Sequence, residues 1–348
     1  MNDTFCPLPF KHLYTHTNGT LKACCISSDF KNPINLKTQS IEEAYNTEEF
    51  KQLRLDLTKG IKNQICNVCW EKEEMGIDSL RYQWKNELSS DYEMKEDGSL
   101  TPQFEYIDVR FSNLCNFKCI MCNHDYSSLH YSEVEEQIGK PRVLKVKENF
   151  VDELLPYIKN IKHIYFAGGE PLVTPEHFQL LKFLHKNNRD ISIIYNTNLS
   201  VIKYDVNDLF LLWKDFKEVL VQVSLDGLYE KGEKIRVGLN TETLIKNIKT
   251  LQENNIKVHI SYTIGIYNVN DIYEFINQLF QLNLVYNENE IHLNNFVSVP
   301  RHYCIKTLTR EEKKETIKYL ESNINTLKTE RLKNQIKNII NFMDFSSI

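Results

Sequence analysis

Three cysteines, Cys115, Cys119 and Cys122, form a Cys-x3-Cys-x2-Cys run within the stretch SNLCNFKCIMCN. Thiolates are the usual protein ligands of iron–sulfur clusters, and a cubane cluster holds four irons. Three ligands leave one iron open, and an open coordination position is what catalysis at a metal requires. The competing chemistry is a zinc site completed by a distant fourth ligand such as His124, although zinc spacing is usually built from two Cys-x2-Cys pairs. Eight of the nine cysteines fall within the first 122 residues. Cys6, Cys24, Cys25, Cys66 and Cys69 precede the triplet, and Cys304 stands apart. On spacing alone, a hairpin cysteine with Cys66-x2-Cys69 suits a zinc ribbon as well as it suits a second cluster.

Other groups with chemical potential fall at the ends of predicted strands. Ala167-Gly168-Gly169-Glu170-Pro171 follows one strand. Glycines there let backbone approach a ligand, and a glutamate accepts from an ammonium; the bland reading is a turn. Asn196-Thr197-Asn198 ends the next strand, and alone these read as strand-end turn residues. Ser224-Leu225-Asp226-Gly227 ends the one after, with Arg236 twelve residues beyond the serine. A guanidinium fork suits a carboxylate, and the plain alternative for Arg236 is a surface helix charge. A lone thiol such as Cys304 is most often an inert small hydrophobe. Its place after the sixth strand also permits a hydrogen-atom donor role.

The elements that must position these groups are legible from periodicity. Segments 104–111, 163–168, 191–196, 219–225, 258–264 and 291–297 read as strands, with helix-like segments such as FQLLKFLHKN and TLIKNIKTLQENN between them. Six β/α units predict an α/β fold with a parallel sheet curved into a partial (β/α)6 barrel; a doubly wound order fits the same pattern. Ligands in such sheets sit beyond the carboxyl ends of the strands. Residues 1–100 read as a separate small domain and 101–348 as the core with C-terminal helices, divided by the polar stretch 88–103. In the small domain, Asn18-Gly19 predicts a type I′ hairpin turn. Phe50, Leu53 and Leu57 mark a helix that Gly60 stops, and a second helix is expected after Cys69. This domain reads as too thin in apolar residues to hold together easily without a metal.

Composition narrows the setting. The 348 residues are 41% hydrophobic and 26% charged, with a formal net charge of -5, so no global basic field recruits nucleic acid. No apolar run reaches membrane-spanning length, and MNDTFCPLPFKH lacks the layout of a signal peptide, which predicts a cytoplasmic protein. In a reducing compartment, clustered cysteines point to metal or catalysis rather than disulfides.

The cysteine triplet after a first strand, the GGEP segment and the later strand ends resemble the signature of the radical S-adenosylmethionine (SAM) superfamily. CPLPF, Asn18-Gly19 leading to the paired cysteines, and CNVCWEKEEMGIDSLR resemble the auxiliary-cluster module called twitch, a shortened relative of SPASM. Here that module precedes the core rather than following it. The resemblance implies a SAM-binding [4Fe-4S] cluster on Cys115, Cys119 and Cys122. It also implies an auxiliary [4Fe-4S] cluster on Cys6, Cys24, Cys66 and Cys69. Cys24 is preferred to Cys25 for its place five residues past Gly19; structural zinc remains the alternative. Gly168, Gly169 and Glu170 would hold the SAM amino group, Asn196 and Asn198 the ribose, Ser224 ribose or carboxylate, and Arg236 the carboxylate. Met121 stands where the family often has an aromatic residue beside adenine. The implied chemistry is reductive SAM cleavage to a 5′-deoxyadenosyl radical that abstracts hydrogen from a substrate. An external one-electron reductant such as flavodoxin or ferredoxin would supply the electron. The leading expectation is modification of a peptide or protein. Dehydrogenation or rearrangement of a sugar, nucleoside or other small metabolite is second, and a non-catalytic metal-binding module third.

Overall fold

Every strand expected after residue 101 forms. In chain order the strands are β1 (His12–Thr15), β2 (Thr20–Lys22), β3 (Ile34–Asn35), β4 (Tyr106–Val109), β5 (Lys118–Cys119), β6 (His163–Phe166), β7 (Ser192–Thr197), β8 (Lys203–Tyr204), β9 (Asn207–Asp208), β10 (Glu218–Ser224), β11 (Arg236–Val237), β12 (Lys257–Ile264) and β13 (Ile291–Phe296). The expected segments correspond to β4, β6, β7, β10, β12 and β13. Their alternation with helices is that of a partial (β/α) barrel core preceded by a small strand-and-helix module. The computed structural model describes residues 3–74, 78–139, 142–204 and 207–344. Residues 75–77 of the CNVCWEKEEMGIDSLR motif lie outside them. Contacts divide the chain into two compact units. The first comprises Met1–Leu114, Val143–Ile194 and Asp215–Glu218; the second comprises Cys115–Arg142, Tyr195–Lys214 and Val219–Ile348.

In the first unit β3, β2 and β1 form an antiparallel ladder, and β1 continues in parallel pairing to β4 and β6. The segment before residue 101 is thus joined strand to strand with β4 and β6, and the compact units do not divide at residue 100. The register aligns Leu13, Ile107 and Ile164 in one row and Tyr14, Asp108 and Tyr165 in the next. Side chains alternate along a strand, so these rows face opposite sides of the sheet. The leucine–isoleucine row is fully buried. The other face carries His12, Tyr14, Tyr106, Asp108 and Tyr165, a polar and aromatic surface.

The helix marked by Phe50, Leu53 and Leu57 spans Glu48–Thr58, and Gly60 follows it at φ 82°. Arg54 is also buried on this helix. Its Nε donates to Pro9 O, Nη1 to Gly98 O and Nη2 to Tyr45 O, and its guanidinium lies over the Tyr45 ring. This arginine fastens the polar stretch 88–103 to the module; Asn46 adds bonds to both backbone groups of Leu100. A stretch with a linker's composition is therefore tied down, because its backbone satisfies a buried cation. Phe5, Phe10, Phe30, Ile34, Leu36, Ile41 and Tyr45 are also buried, so the module has a larger core than its sequence suggested. The hairpin also differs from expectation. Gly19 alone takes positive φ, at 89°, and Asn18 Oδ1 accepts from the Thr20 N–H, so the loop from β1 to β2 is not a type I′ turn.

In the second unit β10, β12 and β13 pair in parallel, aligning Ser224, Ser261 and His292. The helix Thr241–Glu253 buries Leu244, Ile248 and Leu251 at helical spacing, and Asn240 caps it by accepting from the Thr243 N–H. The short β5 and β11 pair antiparallel with Cys119 opposite Arg236. Among the described residues no helix is long and apolar enough to cross a membrane.

Candidate functional site

Cys6, Cys24, Cys66 and Cys69 line one cavity in the first unit, together with Leu8, Arg81 and other side chains. Four separate local features bring them there. Cys6 precedes the turn Leu8–Lys11, Cys24 follows β2, Cys66 ends a 3₁₀ turn over Gln64–Cys66, and Cys69 lies in the helix Asn67–Glu74 that begins just after it. Burial pushes the Cys24 and Cys66 thiols up to about 12, and burial with the nearness of Cys24, Cys66 and Cys69 raises Cys6 as well. Free, these thiols stay protonated, so metal loading must release protons. Among the described residues no three His, Cys, Asp or Glu side chains are grouped to hold a single metal ion. The four thiols line one shared cavity. Cys25 is exposed, does not line the cavity, and stands close enough to Asp108 and Arg110 to feel both charges.

Sequence patterns assign no role to Arg81, which organises this site. Its Nε and Nη2 donate to the Glu73 carboxylate, its Nη1 donates to the carbonyl of Phe5, next to Cys6, and its guanidinium lies 4.9 Å from the Trp70 ring, next to Cys69. One arginine thus ties the Cys6 segment to the Cys69 helix and presents positive charge to the cavity. The only sequence signal was its place at the end of the motif that begins at Cys66.

The triplet occupies a loop of the second unit. Cys119 lies in β5 and is buried, while Cys115 and Cys122 are half-buried; the Cys122 N–H donates to Cys119 O in a tight turn. Burial pushes the Cys122 thiol up to about 12 and raises that of Cys119. Half-buried Met121 lies between them. Arg236, expected at a SAM carboxylate, is buried opposite Cys119: Nη2 lies 2.7 Å from the Asp226 carboxylate and Nη1 donates to Cys119 Sγ at 3.8 Å. Only its Nε remains buried without an aligned acceptor. The unassigned Asp226 is itself buried, accepts from the Thr263 N–H at 2.6 Å, and holds the guanidinium against the thiol. Asn198 donates to Asn116 Oδ1 within the cysteine loop, and Ser224 Oγ donates to Asn196 Oδ1 at 3.0 Å. The strand-end residues of the second unit are therefore linked in pairs. Cys304 is buried between two 3₁₀ turns after β13.

Gly168, Gly169 and Glu170 lie in the first unit. The Gly169 N–H donates to Ser112 O and the Glu170 N–H to Leu114 O, which tethers the segment to the residue immediately before Cys115. Glu170 is buried, and one carboxylate oxygen accepts from the Leu172 N–H at 3.0 Å. A Cβ on Gly169 would fall 2.2 Å from Leu114 O and 2.6 Å from the Asn113 carbonyl carbon, both backbone. Gly169→Ala is therefore expected to cost about 1–3 kcal/mol, as overpacking does where nothing yields, and to lower SAM affinity by displacing the segment. Thermal melting with equilibrium dialysis against SAM checks it; an unchanged melting temperature with unchanged affinity overturns it.

Comparison with known proteins gives two family matches. Residues 109–279 match the radical SAM superfamily, and residues 6–70 match SPASM, an iron–sulfur cluster-binding domain. Among curated proteins, the chain is 28% identical over 170 residues to a GTP 3′,8-cyclase of Helicobacter pylori, covering 48% of this chain and 49% of that protein. It is 27% identical over 164 residues to an Fe-coproporphyrin III synthase of Methanosarcina barkeri, covering 45% and 36%. The chain spans about half the length of the GTP cyclases that it matches first. A solved structure of native anSMEcpe with bound AdoMet aligns at TM-score 0.46 and 15% identity, over 64% of this chain and 62% of that one.

Proposed function

From a chain that belongs to the radical SAM superfamily and carries a SPASM-type auxiliary iron–sulfur domain ahead of its core, we propose an enzyme that takes a hydrogen atom from a small polar metabolite of the sugar or nucleoside kind and dehydrogenates or rearranges it. The observation that carries the metal reading is the convergence of Cys6, Cys24, Cys66 and Cys69 on one cavity. The sequence put a peptide first. The curated relatives, named for GTP cyclisation and for Fe-coproporphyrin III synthesis, favour a small molecule instead.

When bound at the triplet, a [4Fe-4S] cluster with SAM supplies the 5′-deoxyadenosyl radical, chemistry that belongs to the cofactor rather than the protein. The chain's own residues hold and orient. Cys115, Cys119 and Cys122 would ligate three irons; Arg236, fixed by Asp226, donates to the Cys119 sulfur and stabilises its thiolate form. Gly168 and Gly169 would hold the SAM amino group with Glu170, whose carboxylate would accept from its ammonium. Asn196, Asn198 and Ser224 would be the hydroxyl partners, and Met121 would stand beside adenine. Four thiolates at the auxiliary site would close its coordination, which suits electron transfer to or from a substrate radical. Arg81 would favour the reduced, more negative cluster.

The test is anaerobic reconstitution followed by incubation with reductant and SAM. Formation of 5′-deoxyadenosine is expected, stimulated by a nucleotide or sugar more than by peptides, with deuterium from a labelled small substrate appearing in it. No 5′-deoxyadenosine with any reductant sinks the catalytic reading. Stimulation by peptides alone sinks the substrate class.

A further inference from the structure

Three arginines of the first unit are largely buried, and they differ in one respect. On Arg54 and on Arg81 every guanidinium nitrogen meets an acceptor: three carbonyls in one case, Glu73 and the Phe5 carbonyl in the other. Arg110 has no such set. Its Nη1 lies 2.8 Å from Asp108 Oδ1, yet neither atom has an aligned hydrogen-bond partner, and Nε and Nη2 have no protein acceptor among the described residues. A guanidinium carries five donors, and buried polar groups are as a rule satisfied. Only Nη1, beside Asp108, is a buried donor without a partner; Nε and Nη2 reach solvent along an edge suited to two oxygens of one carboxylate or phosphate.

The surroundings hold this arginine still and leave that edge clear. The side chain is 13% exposed, backed by the fully buried Asp108, and its guanidinium carbon lies 4.5 Å from the centre of the Tyr14 ring. Burial lowers His12 to about 3 and raises the Tyr106 and Tyr165 phenols, and Lys22, opposite Tyr14 on this face, is paired with Asp29. Exposed Cys25 stands nearby. On one flank the Arg110 N–H donates to Thr15 Oγ1, at the start of the hairpin that leads to Cys24 and Cys25. On the other flank lies Gly168, at φ 116°, where an added Cβ would come within 3.1 Å of Arg110 Cβ. Arg110 thus stands within the first unit between the hairpin of the auxiliary cavity and the glycine segment.

We propose that Arg110, backed by Asp108, anchors the substrate through an oxyanion, a phosphate or a carboxylate. This rests on the reading of the chain as a radical enzyme and deepens its substrate class to acid-bearing metabolites. The two sources of such a group are separated by paired probes on the reconstituted enzyme: GTP against guanosine, and a tripeptide against its C-terminal amide. Calorimetry is expected to show one acid-bearing probe binding at least tenfold tighter than its neutral partner, with that preference lost in Arg110→Gln. Asp108→Asn removes the competing anion and should tighten the same probe, a gain that misfolding cannot imitate. The proposal is overturned if wild type shows no acid preference in either pair, if Arg110→Gln keeps it, or if a folded Asp108→Asn protein binds more weakly. Substrate-free 5′-deoxyadenosine formation by wild type tests the radical reading separately, so the two can fail independently.

Discussion

Replacing Cys115, Cys119 and Cys122 together with alanine should abolish 5′-deoxyadenosine formation and lower iron from about eight to about four per chain, the loss of one cubane of two. The expectation follows from where the thiols lie. The triplet belongs to the second unit, whereas the four thiols of the auxiliary cavity come from the first, so losing one set leaves the other intact. The substitution also strips Arg236 of its sulfur partner. Its Asp226 partner remains, so the buried cation is not left alone and the fold should survive. Iron and sulfide analysis, electron paramagnetic resonance and product chromatography read the outcome. Residual 5′-deoxyadenosine, or an iron content that does not fall, defeats the assignment of the triplet.

The second large effect is expected from Cys66→Ala combined with Cys69→Ala. About four irons should again be lost, but 5′-deoxyadenosine should still form, while product is lost or diverted. The reason is ligand count: four thiolates leave no iron open, so the site has an electron to exchange and no coordination position to offer. The rival explanation is that the metal only holds the module together, since ligation is also folding energy. Structure weighs against collapse. The module has its own buried core, Arg54 fastens its segments, and β1 is zipped to β4. Circular dichroism and melting separate the two. A folded double variant that turns over normally defeats the electron-transfer role, and an aggregated one supports the staple. Cys25→Ser, outside the cavity, should keep its full iron content.

Much of the architecture is written in local patterns. Period-two apolar runs place β4, β6, β7, β10, β12 and β13 within a residue or two of where they form, because a buried strand face must be apolar whatever it packs against. Cysteine spacing likewise announces metal, since chain geometry alone holds Cys115, Cys119 and Cys122 within one loop. Boundaries were less legible. The stretch 88–103 has the composition of a linker, but its Gly98 carbonyl is one of the acceptors that a buried Arg54 needs, and composition does not record who accepts from whom.

What only the tertiary structure decided are partnerships between residues distant in sequence. Cys24 rather than Cys25 lines the cavity with Cys6, Cys66 and Cys69, although the two are adjacent and chemically identical; the turn after β2 selects between them. Arg236 meets Cys119 and Asp226 through the pairing of β11 with β5, two short strands more than a hundred residues apart. Arg54, Arg81 and Arg110 look alike as letters, each a single cation in a mixed-charge stretch. They become a clasp, a support for the cysteine cavity and the proposed oxyanion anchor only when folding decides which of them finds acceptors. Burial makes an unpaired donor costly, and burial is a property of the packed chain, not of its order.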